Sequence, residues 1–331
     1  MELPMRVTLA DVAARAGVSL ATVSKVANGR YGVAPGTVVR VQEVIDELGY
    51  AGHLGAISLR SSRTNVLGIL IAEFEPFSLG LLRGMSDAAT RSGYDLMAFT
   101  GGGKSGWERR SLARLGGTLI DGAILVTPTV LGPRATVPVV AIDPHYGPSQ
   151  IPTVDADSFA GAKLATAYLV GLGHRRIAFL GGREDLESAH LREAGFREAM
   201  ADAGVPVSEA LVRATHFQPQ LAEVEARALL TLPEPPTAIF AANDITAERT
   251  IAVARSLGLA VPTDVSVLGF DDIPEAALCT PPLTTVRQPL RDMGEAAMEM
   301  LLDLLDGIER STHTRLPVEL LVRASCAPPR R

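Results

Sequence analysis

The sequence predicts a small three-helix head containing a helix-turn-helix, followed by a larger α/β core of two doubly wound subdomains. Helical patterns interrupted by glycine fill residues 8–49. Beyond residue 65, short apolar runs alternate with helical stripes, which is typical of parallel sheets. The chain has 331 residues and is 47% hydrophobic. It is therefore long and apolar enough to fill more than one core.

The first two helices of the head are predicted on either side of Gly17. Thr8 can cap the first helix together with Asp11, three residues later. Ser19 is a good cap for the second helix. The inward-facing residues at helical spacing are Leu9, Val12, Ala13, Ala16, Val23, Val26 and Ala27.

A third helix is predicted from near Pro35 to Gly49 and completes a small core. Its apolar stripe consists of Val38, Val41, Ile45 and Leu48. The opposite face of the second helix carries Leu20, Ala21, Ser24 and Lys25. In a helix-turn-helix this face enters the major groove of DNA. A helical bundle that does not bind DNA is the alternative.

Charge is divided unevenly along the chain. Residues 1–63 carry seven basic and five acidic side chains, a net of +2; the remainder carries 24 basic and 32 acidic ones, a net of −8. Because an acidic surface repels DNA, phosphate contacts are expected in the amino-terminal unit alone. The basic residues there are Arg6, Arg15, Lys25, Arg30, Arg40, Arg60 and Arg63.

Composition also bears on the compartment. We find no signal segment and no apolar run of about 18 residues, so we expect a cytoplasmic protein without membrane contact. Cys279 and Cys326 have no paired spacing and form no Cys/His cluster. Neither a disulfide framework nor a zinc site is therefore expected.

The core is predicted from seven apolar runs across about 268 residues. Their alternation with helices suits two doubly wound subdomains. We expect a first crossing near Asp157, a return near Thr285–Pro289, and a helix Met293–Leu305 that rejoins the first subdomain. The runs are Val66–Ile71, Tyr94–Phe99, Ala123–Val126, Val139–Ile142, Ile177–Leu180, Ala238–Phe240 and Val265–Phe270.

Three segments of the head resemble the amino-terminal signature of the lactose-repressor (LacI/GalR) family of transcriptional regulators: Leu9-Ala-Asp-Val-Ala13, Ala16-Gly-Val-Ser19 and Thr22-Val-Ser-Lys-Val-Ala-Asn28. The resemblance extends over essentially the whole chain. It implies that Leu20, Ala21 and Lys25 face operator bases. The two apolar side chains can contact thymine methyl groups but cannot make bidentate hydrogen bonds, so Lys25 would supply the polar contact.

The resemblance implies further DNA contacts, which fix the position of the head on DNA rather than read its sequence. It also implies a hinge helix over residues 51–63, in which Leu59 wedges into the minor groove. Gly52, His53 and Ile57 depart from the residues usual in the family, and Gly55 is a weak helix former. The contacts that fix the position are Thr22, Ser24 and Asn28, and the further DNA-binding residues expected are Thr8, Ser19, His53 and Ala56.

The resemblance further implies a core of the periplasmic-binding-protein type, with the ligand between two subdomains. The resulting division has a head at 1–50, a hinge at 51–63 and a core at 64–331. Within the core, the amino-terminal subdomain spans about 64–158 and 288–316. The carboxy-terminal subdomain spans about 159–287 and 317–331.

A neutral polyol in such a cleft requires charged and amide groups that engage hydroxyls, together with an aromatic face. Arg192, Asn243 and Asp271 lie where the family carries ligand contacts, and Phe217 matches its stacking aromatic. Other roles are open: a surface arginine, a helix cap, a turn carboxylate and a core ring, respectively. Further lining candidates are Asp143 and Phe74.

No cluster suited to phosphate is apparent among these candidates, which favours an uncharged sugar over a sugar phosphate or nucleotide. A purine co-repressor would also suit a stacking platform at Phe217. Ala98–Ser105 nearly fits the phosphate-binding P-loop, but Gly106 stands where the helix should begin. We therefore expect Lys104 to be a solvated surface charge.

Catalysis has little support in the sequence. There is no Gly-x-Ser-x-Gly elbow and no His-Glu-x-x-His. The Asp271–Asp272 pair has no companion nucleophile, and we expect no cofactor and no metal. His174, in the turn before a strand, is expected to be structural. The histidines lack metal spacing and are expected in solvated loops: His53, His145, His174, His190, His216 and His313.

These observations predict a homodimeric repressor of carbohydrate genes, which binds a roughly palindromic operator under control of a sugar effector. No carboxy-terminal heptads for a tetramer are visible. The sequence leaves open whether the effector induces or co-represses. The alternatives are a purine-dependent repressor, a sugar receptor without a DNA function, and an enzyme with a DNA-binding appendage.

Overall fold

The computed structural model describes residues 7–27, 32–48, 63–101, 106–129, 135–147, 151–308 and 311–330. The chain divides into two compact units, Met1–Thr64 and Asn65–Arg331. Within the described ranges, no helix is long and apolar enough to cross a membrane.

The described part of the first unit contains the helices Leu9–Ala16, Leu20–Ala27 and Pro35–Leu48. The predicted cap of the first helix is confirmed. The Asp11 backbone N–H donates to Thr8 Oγ1 at 3.3 Å, and the Thr8 N–H donates to Asp11 Oδ2 at 2.7 Å. The helix ends at Gly17, whose φ of 65° lies in the left-handed region that favours glycine.

The head core is built on Val12, Val23 and Val41, which are fully buried. The prediction that Ala27 and Val38 face the core is wrong. Ala27, in the second helix, is exposed, and Val38, in the third, is 38% exposed. Ala27 is the last residue of its helix. Val38 lies about 120° around its helix from Val44, the buried residue that the prediction omitted.

The second unit consists of two lobes, each built on a six-stranded sheet within the described ranges. The first sheet has the order β11-β5-β4-β3-β1-β2, and these neighbours pair in parallel. Its strands are β1 Val66–Ile71, β2 Asp95–Thr100, β3 Gly122–Val126, β4 Val139–Ile142, β5 Thr153–Ala156 and β11 His313–Leu316.

The second sheet has the order β12-β10-β9-β8-β6-β7 and is parallel except for the antiparallel pair β10 and β12. Its strands are β6 Ile177–Gly181, β7 Val212–Ala214, β8 Ala238–Ala241, β9 Ser266–Asp271, β10 Thr284–Arg287 and β12 Glu319–Leu321. The predicted pair of doubly wound subdomains is therefore confirmed.

Helices cover these sheets and enclose apolar cores of buried aliphatic and aromatic side chains. The helices are Pro76–Ser92, Trp107–Leu115, Ser158–Gly171, Glu187–Asp202, Pro219–Leu230, Asp244–Ser256, Pro274–Leu278 and Leu290–Leu305, with a 3₁₀ turn at Glu209–Leu211.

The chain passes between the lobes at three places in the described core. It leaves the first sheet after Ala156 and returns after Arg287. It then crosses again between β11 and β12. The helix Leu290–Leu305 packs on the first lobe. Segments at the carboxyl-terminal strand ends of both sheets line one cleft.

Candidate functional site

The outer face of the second head helix presents most of the predicted base-contacting side chains. Leu20 is 48% exposed, and Ala21 and Lys25 are also exposed. Thr22 and Ser24 are half-buried. The structure therefore places Leu20, Ala21 and Lys25 on the exposed side of the helix, with Thr22 and Ser24 at its borders.

Thr8 and Ser19 each bond a backbone N–H at the start of a helix. The Thr22 N–H donates to Ser19 Oγ at 3.1 Å, and the two hydroxyls lie 2.9 Å apart. Thr8 and Ser19 are nevertheless exposed. Their capping role is compatible with a nearby phosphate, because a helix N-terminus attracts anions.

Several predictions fall outside the described residues, so the structure does not bear on them. In the glycine-rich segment, the description ends at Gly101 and resumes at Gly106, just before the helix Trp107–Leu115. The predicted residues concerned are Asn28, His53, Ala56, Leu59 and Lys104.

A cavity of about 750 Å³ lies between the two lobes of the core. It is bordered by segments that follow the strands β1, β4, β6, β8 and β9. Ligands of open α/β sheets bind at such carboxyl-terminal edges. The predicted effector residues that line it are Arg192, Asp271, Asn243, Phe217 and Asp143.

Arg192 is 4% exposed, so the alternative of a surface arginine is wrong. Its Nη1 donates to the Ala242 carbonyl oxygen at 2.6 Å and lies 3.5 Å from Asp271 Oδ1. The guanidinium carbon sits 3.9 Å from the centre of the Phe270 ring. A carbonyl, a carboxylate and an aromatic face thus hold the guanidinium in the wall of the cleft.

Asp271 closes β9 with a φ of 116°, which is unusual for a residue with a side chain. Gln288 Nε2 donates to its Oδ1 at 2.7 Å. Burial raises the pKa of Asp271 to about 6, while the charge of Arg192 opposes that rise. Hydroxyl groups that donate to the ionised carboxylate would stabilise it further.

Asn243 combines a structural role with its place in the cleft. Its side-chain Oδ1 accepts the Thr246 N–H at 2.9 Å and caps the helix Asp244–Ser256. The helix-cap alternative is therefore confirmed, and it coexists with cavity lining. The cap uses the amide oxygen and leaves the amide nitrogen to other partners.

Phe217 forms a fixed aromatic surface. His216 and Phe217 both have left-handed backbones, with φ of 53° and 59°. The Phe217 ring lies where a Cβ at Gly182 would overlap it, so the glycine admits the ring against the backbone. The ring also packs partly on the core of the second lobe, in agreement with the alternative of a core ring.

Asp143 is half-buried, and the Ser188 hydroxyl donates to its Oδ2 at 2.9 Å across the cleft. Burial raises the pKa of Asp143, and the nearby Arg192 opposes the rise. Phe74 does not line the cavity and is 56% exposed. Phe77 lines it instead, from the first turn of the helix Pro76–Ser92.

Sequence reasoning missed a charged group in the same cleft. Arg183 donates two hydrogen bonds to Asp185, at 2.9 and 2.8 Å. His145 Nδ1 lies 3.2 Å from Asp185 Oδ2 and so joins the first lobe to the second. The bonds from Arg183 lower the pKa of Asp185 to about 2. These residues closely follow predicted strands, a signal that could have identified them.

Two histidines expected in solvated loops are buried, His145 at 5% and His174 at 1% exposure. His174 Nδ1 lies 2.9 Å from Thr237 Oγ1, and its Nε2 lies 3.0 Å from the Ala327 carbonyl oxygen. Burial lowers the pKa of both histidines. Among the described residues, no group of His, Cys, Asp and Glu is arranged to hold a metal ion.

A larger groove of about 1420 Å³ also lies in the core, beside the helices Pro76–Ser92 and Leu290–Leu305. It is open to solvent, and no predicted effector residue lines it. Volume alone therefore does not identify the ligand site. The convergent polar groups and the aromatic face favour the smaller cleft.

Residues 8–52 match the bacterial regulatory proteins of the lacI family, and residues 166–326 match a periplasmic binding protein-like domain. The HTH-type transcriptional regulator CelR of Thermobifida fusca is 36% identical, over 98% of this chain and 100% of the relative. The transcriptional repressor PurR of Vibrio parahaemolyticus is 33% identical, over 96% and 97%.

A structure of a CelR–cellobiose complex aligns with a TM-score of 0.73 and 34% identity, over 97% of this chain and 100% of that one. A lac repressor dimer bound to operator and the anti-inducer ONPF aligns with a TM-score of 0.83 and 27% identity, over 97% and 99%. These proteins are regulators rather than enzymes, and they match nearly the full chain. The chain therefore belongs to the LacI family of DNA-binding transcriptional regulators.

Proposed function

We propose that this regulator is a homodimeric repressor of carbohydrate-utilisation genes, controlled by a small uncharged sugar in the core cleft. The observation that carries this proposal is the convergence of Arg192, Asp271, Asn243, Asp143 and Phe217 on one cavity. Carboxylate, guanidinium and amide groups can each engage sugar hydroxyls, and an aromatic face suits the apolar side of a pyranose. The cellobiose in the related CelR structure adds support.

The charges of the cleft argue against an anionic effector. Each of its two arginines already has a carboxylate partner, Arg183 with Asp185 and Arg192 with Asp271. Further carboxylates that line the cavity belong to Glu73, Glu75 and Asp143. A phosphate or carboxylate ligand would be repelled by these groups, whereas sugar hydroxyls can donate to them.

DNA recognition is assigned to residues 1–50, with Leu20, Ala21 and Lys25 facing bases. Thr8, Ser19, Thr22, Ser24 and Asn28 would contact phosphates. Residues 51–63 would form the hinge, with Leu59 as the wedge and with His53 and Ala56 contributing contacts. Residues 64–331 would form the effector-binding and dimerisation core, with subdomains near 64–158 with 288–316 and 159–287 with 317–331.

Two heads joined in a dimer would bind a roughly palindromic operator, because the symmetry of the protein imposes half-site symmetry. The related lac repressor was solved as a dimer on its operator, which supports this arrangement. The proposed site of action is the cytoplasm, where bacterial operator DNA lies.

A purine co-repressor is the second candidate effector, favoured by the similarity to PurR. A planar base could stack on Phe217, and side-chain amides and carboxylates could pair with its edge. This candidate retains the DNA-binding assignment and changes the ligand.

A thermal-shift screen separates these effectors, because a ligand that binds the native state raises the melting temperature. The panel comprises neutral mono- and disaccharides, sugar phosphates, purines and nucleotides. We expect a shift with a neutral sugar and no shift with its phosphate. A shift with purines alone would replace the sugar by the second candidate, and no shift at all would contradict the proposal.

A further inference from the structure

Asp244 is buried beside the effector cleft but does not line it. It follows Asn243 as the first residue of the helix Asp244–Ser256 and is 1% exposed. The Thr285 hydroxyl donates to its Oδ1 at 2.5 Å. The Ile273 backbone N–H donates to its Oδ2 at 2.9 Å. One carboxyl group therefore joins this helix to β10 and to the loop after β9.

The end of β9 and the start of that loop contain two consecutive residues in unfavourable backbone conformations. Asp271 has a φ of 116° and Asp272 a φ of 56°. Such conformations persist in residues with side chains where the surroundings hold them in place. Arg287 and Arg323 bind the Asp272 carboxylate at 2.8 and 2.5 Å. The bond from Ile273 to Asp244 holds the loop on its carboxyl-terminal side.

Gly269, in β9, provides the space for this carboxyl group, because a Cβ at that position would overlap Asp244 Oδ1. Burial raises the pKa of Asp244 well above its usual value, and the neighbouring charge of Asp271 adds to the rise. An asparagine amide can accept the Ile273 N–H through its oxygen, and its nitrogen can donate to the Thr285 hydroxyl oxygen, which reverses the direction of that bond. Asparagine should therefore keep the contact with Ile273 and a hydrogen bond to Thr285.

We propose that Asp244 is a positioning residue of the effector site. It fixes the loop Asp271–Ile273 to the helix that Asn243 caps, so that Asn243 and Asp271 keep one relative geometry in the cleft. Asp244 does not contact the effector itself. The effect on ligand binding rests on the proposed function, whereas the effect on the loop does not.

The first test is hydrogen exchange of the ligand-free full chain, followed by mass spectrometry on peptides covering 271–278. Asp244→Ala should speed exchange in this segment about tenfold or more, because the Ile273 N–H loses its acceptor. Asp244→Asn should stay within about threefold of the wild type. Thr285→Val, which removes one of the two bonds, is the milder variant if the alanine variant does not fold.

Ser325→Ala is the matched control. Ser325 is fully buried, accepts the Thr284 N–H at 2.8 Å and donates to the Val267 carbonyl oxygen. Its loss should lower the melting temperature without faster exchange at 271–278. Equal exchange in Asp244→Ala and Ser325→Ala would overturn the tether, since general destabilisation would then explain both.

The second test is calorimetry with cellobiose and with any neutral sugar that shifts the wild-type melting temperature. Asp244→Ala or Thr285→Val should weaken binding about tenfold, while Asp244→Asn and Ser325→Ala should bind as the wild type does. Faster exchange with unchanged sugar affinity would overturn the positioning role. If no sugar binds the wild type, the proposed function fails, and the exchange experiment still decides whether Asp244 tethers the loop.

Discussion

At the scale of single residues, the carboxyl group of Asp271 should make effector binding depend on pH. Burial raises its pKa to about 6, so the free protein is partly protonated at this position in mild acid. A sugar hydroxyl that donates to the carboxylate favours the ionised form. Effector affinity should therefore rise from pH 5 to pH 7, by at most about tenfold per pH unit, and then level off.

Calorimetry with the sugar identified by the screen, between pH 5 and 8, measures this dependence. Asp271→Asn is the control and should bind weakly, with an affinity that depends less on pH, since the amide does not titrate. Equal affinity at pH 5 and pH 7 would count against a carboxylate contact at Asp271.

The pH dependence of folding stability has the opposite sign. The raised pKa of Asp271 stabilises the native state below about pH 4, and this contribution is lost as the pH rises through about 6.

Lys25 should separate operator recognition from effector binding. It is exposed on the head helix and is the charged member of the proposed base-reading group. Lys25→Ala should weaken binding to an operator selected by the wild type by about 1–3 kcal/mol, with unchanged sugar affinity. Fluorescence anisotropy with labelled DNA provides the measurement.

The control for that experiment is Lys163→Ala, which removes the same charge from the core surface. Lys163 pairs with Glu198 at 2.6 Å and Asp202 at 2.9 Å, far in sequence from the head. Operator affinity should be unaffected by this change. A similar loss in both variants would mean that net charge, rather than a contact by Lys25, determines affinity.

Residue types predicted the chemistry of the cleft better than the positions of individual side chains. Arg192, Asn243 and Asp271 were predicted from the family resemblance, and for Asn243 and Asp271 also because polar residues after parallel strands converge at one edge. The prediction that Phe74 lines the cleft was wrong, and Phe77 lines it instead. The direction of each side chain depends on where the helix begins, here at Pro76. His145 was missed because its burial depends on partners from the other lobe.

At the scale of elements, the helices Pro76–Ser92 and Leu290–Leu305 approach through reciprocal glycines. A Cβ at Gly84 would overlap the Arg291 carbonyl oxygen, and a Cβ at Gly294 would overlap the Leu81 carbonyl oxygen. Because backbone atoms cannot rotate away, Gly294→Ala should lower the free energy of unfolding by about 1–3 kcal/mol. Urea denaturation of the full chain measures the change.

Gly171 offers the matched control for this helix pair. It ends the helix Ser158–Gly171, and nothing lies within 4 Å of a Cβ built there. Gly171→Ala should be neutral or stabilising by up to about 1 kcal/mol, because alanine has the better helix propensity. Stability unchanged by Gly294→Ala would show that the two helices can separate at little cost.

Strand prediction succeeded where apolar runs were continuous and failed where polar residues are buried. The run Val139–Ile142 was predicted with its observed bounds. By contrast, the sequence did not predict β10 as a strand, because its buried residues Thr284 and Thr285 are polar. Thr285 bonds to Asp244, and Thr284 accepts the Arg323 N–H. Hydropathy does not detect a strand whose inward hydroxyls find partners from distant segments.

At the scale of the whole molecule, function requires that the cleft and the head influence each other. Three chain crossings join the lobes, so an effector that bridges Asp143 on one side and Asp271 on the other favours one lobe arrangement. A ligand shifts such an equilibrium by no more than its difference in affinity for the two states. Operator affinity responds to a sugar that never touches DNA if the two lobe arrangements also differ in affinity for the operator.

Reciprocity makes this coupling measurable. If the sugar changes operator affinity by some factor, the operator must change sugar affinity by the same factor, typically about 5- to 150-fold. Calorimetric titration of the sugar, with and without saturating operator, should return the factor found by anisotropy. In Lys25→Ala, at an operator concentration that saturates the wild type but leaves this variant largely unbound, the added DNA should leave sugar affinity unchanged. Sugar affinity that ignores the operator in the wild type would show that the cleft does not control DNA binding, even if both ligands bind.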